Sequence, residues 1–311
     1  MESPTACDLA SMTPDDAPPR RLWYNVFPMC NDSNIVRICP ATRTFDIPWR
    51  EIFDHSELLL LLARRDISVI YKQTILGPIW FLLQPVLTAM VFSVVFGRIA
   101  KISTYGMPRV LFYLNGLVVW NYFRGVMDGV SMSFIHAKSL FAKVYFPRLL
   151  VPLSFPISHL VFFGLNLAVF FIFYAYNVLV KGFALRPNWW LCALPLVVVW
   201  IAAAATGFGL IVAAFTTKYR DLRFAMPFIF QVWMFSSPII YPLNGVQDPF
   251  FLTVMHLNPV GVAVEALRYM LTGCGLVTLD AVATGAIVIA CALVLGLGAF
   301  NKAQRNFVDT I

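Results

Sequence analysis

Six long apolar runs dominate the chain, at residues 79–96, 110–127, 149–176, 189–215, 224–241 and 281–300. Each is close to or above the roughly 18 residues that carry a helix across a hydrocarbon core of about 30 Å. They predict an all-α polytopic membrane protein with six transmembrane helices. The third run is long enough to tilt or to project beyond the bilayer. Ahead of the first run the pattern changes. Arg64, Arg65, Asp66, Lys72 and Gln73 interleave with Ile67, Val69, Ile70, Ile75 and Leu76, which suits an N-terminal amphipathic helix lying in the membrane interface. Gly77-Pro78 then turns the chain into the first span. Between the fifth and sixth runs, residues 242–280 hold two short apolar helices, 249–256 and 259–271, split by Asn258-Pro259. Neither is long enough to span, which predicts a pair of external re-entrant helices.

An even number of spans places both termini on one side, and the basic residues choose the side. One set of flanks carries Arg64, Arg65, Lys72, Lys138, Lys143, Arg148, Lys218, Arg220, Arg223, Lys302 and Arg305. The other carries Arg98, Lys101, Arg109, Lys181, Arg186 and Arg268. The bias is roughly two to one, so the first set and both termini are expected in the cytoplasm. The chain then divides into a polar, partly disordered cytoplasmic extension (1–48), the interfacial region (49–76), a six-helix domain (77–301) and a short cytoplasmic tail (302–311).

Composition narrows the chemistry. Of 311 residues, 59% are hydrophobic and 13% charged, with a mean hydropathy of +0.75. A soluble domain carries about 25% charged residues, so this much apolar surface belongs in a bilayer. The net charge of +7 fits topology and headgroup contact, not nucleic acid. The six cysteines are dispersed without a C-x-x-C pair, as expected of free thiols and not of a zinc site. No cleavable signal peptide is visible. No G-x-x-x-x-G-K-[ST] loop occurs, nor any paired catalytic carboxylates or nucleophile elbow. The chain is therefore expected to be a non-enzyme without cofactor, and active transport would need an energy source on another polypeptide.

Several stretches carry more specific signals. Arg65, Asp66, Tyr71, Lys72, Leu76, Gly77, Trp80 and Pro85 form one pattern. Phe146-Pro147-Arg148, Tyr219-Arg220-Asp221-Leu222, the run Phe-Ser-Ser-Pro-Ile-Ile-Tyr-Pro at 235–242, Asn258-Pro259 and Glu265-x-x-Arg268 continue it. Over about residues 60–308 the chain resembles the permeases of ABC-2-type exporters. It is most similar to the branch that moves lipid-linked polysaccharides such as O-antigen, capsule and teichoic acid. The resemblance implies a homodimer in the cytoplasmic (inner) membrane, bound to two copies of an ABC ATPase subunit that supplies ATP and Mg. It implies a coupling helix that docks on the ATPase through Lys138, Leu140, Phe141, Lys143, Tyr145 and Phe146, with a smaller contact at Tyr219, Arg220 and Asp221. Charge alone would favour reading the first of these as a basic loop touching lipid phosphates; it is the Phe146-Pro147-Arg148 match that implies coupling. The cargo's lipid end would enter beside Arg64, Arg65, Asp66, Tyr71 and Lys72, and Asn258, Pro259, Glu265 and Arg268 would form an external gate.

Aromatic residues suggest the conduit. Trp80, Phe81, Trp120, Tyr122, Phe123, Trp233, Phe235 and Tyr241 lie in or near the first, second and fifth runs. Ring faces stack on sugars without charge and suit a sliding polymer. The competing reading makes them interface anchors and lipid-facing packing. Gly125-x-x-x-Gly129 would allow close helix contact, and Arg124 and Asp128, four apart, are expected to neutralise one another. Two rival functions stay open: export of a small hydrophobic molecule or drug, and a membrane-embedded enzyme modifying lipid-linked sugars.

Overall fold

The computed structural model describes residues 54–72, 79–136, 146–182, 189–219, 221–245 and 248–308. Among them there is no strand. The chain forms α1 (Ser56–Lys72), α2 (Ile79–Phe92, prolonged by the π-helical Ser93–Ile99), α3 (Arg109–Ser131), α4 (Leu150–Lys181), α5 (Leu194–Lys218, after a 3-10 turn at Trp189–Ala193), α6 (Leu222–Phe235), α7 (Pro249–Leu257), α8 (Pro259–Thr272) and α9 (Leu279–Val308).

The helix α3 is the axis of the packing. Every residue from Leu111 to Trp120 is buried, and α3 touches α2, α4, α5 and α8. The helices α5 and α9 run side by side because glycine removes the side chains between them. A Cβ at Gly296 would lie 2.6 Å from the Gly207 carbonyl oxygen, and one at Gly207 would lie 2.9 Å from the Leu293 nitrogen. Small residues that let backbones approach hold membrane helices together where hydrophobic segregation cannot. The pair Gly125 and Gly129 serves α3 and α4 in the same way, opening room for His159 and Phe155. The amphipathic α1 lies against α4, burying Leu62 and Ala63 while Leu60 and Leu61 stay exposed.

Among the described residues, four helices are long and apolar enough to cross a membrane: Ile79–Ile99, Leu150–Lys181, Trp189–Lys218 and Leu279–Gln304. The pair Phe250–Leu257 and Pro259–Thr272, bent by 85°, would make a fifth if it counts as one span. The six predicted spans therefore do not all stand on length and composition. The second run forms a 23-residue helix whose apolar character is diluted by Asn115, Asn121, Arg124 and Asp128, the first buried and the last two exposed. The fifth run stops being helical after Phe235, leaving α6 only 14 residues long, because Ser236, Ser237 and Pro238 turn the chain. The two short helices after it occur where the sequence places them. Asp248 caps α7 by accepting from the Phe250 N–H at 3.0 Å, and Pro follows each cap, where its missing donor costs nothing.

Candidate functional site

The two predicted gate motifs build one buried polar node at the start of α8. The Asn258 Oδ1 accepts from the backbone N–H groups of Val260 at 3.1 Å and Gly261 at 3.4 Å, a regular N-cap. The same oxygen accepts from the indole N–H of Trp233 at 3.1 Å. Its amide nitrogen donates to Ser237 Oγ at 2.9 Å. One side chain thus ties α8 to α6 and to the turn that ends α6. The Pro259 carbonyl accepts from Trp200 Nε1 at 2.9 Å, which adds α5 to the node.

Two turns further on, Glu265 and Arg268 form a salt bridge with side chains 1% and 0% exposed. Arg268 also donates to the Pro238 carbonyl at 2.9 Å and lies 4.0 Å from the Phe112 ring centroid and 5.9 Å from that of Tyr105. The other carboxylate oxygen of Glu265 accepts from the Leu276 N–H at 3.0 Å. Burial pushes the Tyr105 phenol above its ordinary pKa, and the nearby Glu265 carboxylate adds to the shift. The pair joins five segments: α8, the turn after α6, the stretch before α9, α3 and the segment ahead of α3. Such enclosure makes it a structural clasp within this chain.

At the opposite end of α3, the flanks of the predicted coupling segment are anchored. Phe134 stacks on Phe300 with centroids 4.5 Å apart, Thr216 Oγ1 donates to the Ser131 carbonyl at 3.1 Å, and Arg148 donates to the Gln304 carbonyl at 3.0 Å. Phe146 is buried. The ends of α3, α5 and α9 and the start of α4 are therefore cross-linked around the segment. Lys138, Leu140, Phe141, Lys143 and Tyr145 themselves lie outside the described residues. In the second predicted contact, Tyr219 is exposed with the Lys218 ammonium 5.2 Å from its ring centroid. Asp221 is exposed at the start of α6, and Arg220 lies outside the described residues.

On α1, Arg65 pairs with Asp66 at 2.8 Å and Arg64 is exposed; Tyr71 and Lys72 belong to the helix, their side chains outside the description. The expected Arg124–Asp128 pair is absent from the described ion pairs. Both residues are exposed, and Arg124 instead lies 5.6 Å from the Phe230 ring centroid on α6, an attraction between cation and ring face.

The aromatic set separates into two groups. Trp120, Tyr122 and Phe123 are buried in the core. Trp120 sits against Phe123 and Phe230, and Tyr122 donates to the Pro156 carbonyl at 3.0 Å. Phe81 packs on Phe162. Tyr241 is partly buried and donates to the Phe235 carbonyl at 3.3 Å. Trp80 and Phe235 are exposed. Trp233 borders an open apolar groove of about 500 Å³, lined also by Phe228, Val232, Leu257 and Pro259. Phe235 belongs to an exposed stripe on α6 whose other members were not chosen from the sequence. Phe224, Phe228, Val232 and Phe235 are 82%, 67%, 49% and 44% exposed and recur at helical spacing on one face of α6. That spacing was readable; which face the bundle would bury was not. Trp200, Tyr105 and Ser237 were missed as partners of the node for the same reason.

A profile of the ABC-2 type transporter family matches residues 57–272, spanning α1 through α8. The chain is 27% identical to the O-antigen export system permease protein RfbA of Myxococcus xanthus over 212 residues, 68% of this chain and 78% of that one. It is 23% identical to a protein of the same name from Klebsiella pneumoniae over 257 residues, 82% of this chain and 95% of that one. A second Klebsiella pneumoniae protein of that name is 24% identical over 260 residues. The helical bundle, its membrane-length apolar helices and the family match over most of its length lead to one conclusion: the chain is a membrane permease of the ABC-2 type transporter family.

Proposed function

We propose that the chain is the transmembrane subunit of an exporter that moves a lipid-linked polysaccharide of the O-antigen class across the cytoplasmic membrane. The single observation that carries this reading is the similarity to O-antigen export permeases along 95% of their length. Two copies would form the pathway, and ATP hydrolysis on two separate ATPase subunits would drive it through the segment between α3 and α4 and the α5–α6 turn. In this reading α3 and α6 also cross the bilayer, giving six spans, both termini in the cytoplasm, and α7 and α8 re-entrant on the outer side. The cargo's lipid end enters beside α1.

The exposed α6 stripe and Trp80 support a path between copies, because a stacked sugar needs a ring face that the chain's own core leaves free. Trp120, Tyr122 and Phe123 then serve as the rigid wall behind that path and not as its lining. Depleting the chain in its native host tests the reading. Surface polysaccharide is expected to fall while lipid-linked glycan accumulates inside, with both restored by the wild-type chain. Unchanged surface polysaccharide, with no accumulation, would overturn it.

A further inference from the structure

The segment between α2 and α3 forms an open cleft of about 550 Å³ that none of the functional readings above uses. Arg98, Lys101 and Arg109 line it, together with the hydroxyl-bearing Ser103 and Thr104. All three cations are exposed. Among the described residues, no acidic side chain lines the cleft and no carboxylate pairs with any of the three. Three like charges around one concavity repel one another unless an anion sits among them.

The backbone adds to the positive field. The N-terminus of α3 opens at Arg109, and its cap residue Pro108 contributes no side-chain acceptor. The first N–H groups of this 23-residue helix carry the positive end of its dipole. The cleft is also held in shape. Ala100 N–H donates to the Val95 carbonyl and Ile102 N–H to that of Phe96, both at 2.9 Å. Thr104 Oγ1 donates to the Met107 carbonyl at 2.8 Å. Lys101 is held at a φ of 53°, a left-handed conformation that a lysine adopts at a cost. The Arg109 stem lies against Gly97, where a Cβ would come within 3.2 Å of its Nε, so the glycine makes room for the guanidinium.

We propose that this cleft is a binding site for a phosphate or diphosphate group, carried by a lipid headgroup or free in solution. The site stands on this geometry; only its position on the outer side of the membrane rests on the transport reading. Arginine and lysine beside the Ser103 hydroxyl, at the positive end of a helix, form a donor set that tetrahedral oxyanions take; the Thr104 hydroxyl already donates to the Met107 carbonyl. Charge, not shape, dominates at so open a site, which sets the expected salt dependence.

The test uses the full chain in detergent, titrated with inorganic pyrophosphate by calorimetry. Saturable binding is expected, weakening as salt rises. The triple variant Arg98→Gln, Lys101→Gln, Arg109→Gln is expected to bind about tenfold more weakly or worse. The charge-keeping variant Arg98→Lys, Lys101→Arg, Arg109→Lys is expected to retain binding, which separates loss of charge from loss of fold. Repeating the titration in vesicles identifies the source. An affinity that drops when phosphatidylglycerol replaces phosphatidylcholine means that a headgroup already fills the cleft; an unchanged affinity means a free phosphate. Wild-type protein that does not bind pyrophosphate in detergent, or a triple Gln variant that binds like wild type, would overturn the proposal, whatever the outcome for export.

Discussion

Glu265 and Arg268 show what a charged pair does when a helical bundle closes over it. Taking two charges out of water is expensive, and breaking such a pair by removing one partner costs about 3–5 kcal/mol because the other charge stays buried alone. Both residues are almost wholly enclosed, and Arg268 holds the Pro238 carbonyl as well. Glu265→Leu and Arg268→Met are therefore each expected to lower the unfolding temperature in detergent sharply. The double variant is expected to be more stable than either single one, because no charge is then left unpaired. Additive losses in the double variant would show that the pair is not the clasp described above. The residue spacing Glu-x-x-Arg was legible in the sequence. Its enclosure was not, since the groups around it come from residues 105, 112, 238 and 276, distant in the chain and carrying no common motif.

Among elements, the contact of α5 with α9 depends on the absence of side chains at two positions. Gly207→Ala and Gly296→Ala are each expected to destabilise the bundle by about 1–3 kcal/mol, the usual effect of forcing a methyl into a filled interface. Gly164→Ala, on α4 where nothing lies within 4 Å, is expected to be neutral. Thermal unfolding of the purified variants measures all three; equal stability throughout would mean that α5 and α9 have room to separate. Element type and order were readable from the sequence. The apolar runs marked the helices, and Pro249, Asn258 and Pro259 marked the starts of α7 and α8. The ends were less readable. The run at 224–241 stays apolar past Phe235, so hydropathy did not register the turn at Ser236–Pro238 that shortens α6. The run at 110–127 predicts a span, but Asn115, Asn121, Arg124 and Asp128 leave α3 outside the helices that length and composition alone carry across a membrane.

For the whole molecule, the candidate site was legible as a set of motifs but not as an arrangement. The Asn258 and Glu265 motifs converge in a closed node. Of the eight aromatic residues chosen for a conduit, Trp120, Tyr122 and Phe123 are core, while Phe224 and Phe228, not chosen, are among the most exposed rings. Burial depends on which helices surround α3, and no local pattern encodes that. The central claim is ATP-driven export of a lipid-linked glycan by this permease with its ATPase. Inside-out vesicles carrying both subunits, loaded on the outer face with lipid-linked glycan, measure it directly through protection of the glycan from an added glycosidase. Protection is expected to grow with time only when ATP is present, and to vanish when the ATPase carries an inactivating change in its nucleotide site. Glycan that stays fully accessible with ATP, in vesicles whose ATPase is assembled and active, would contradict it.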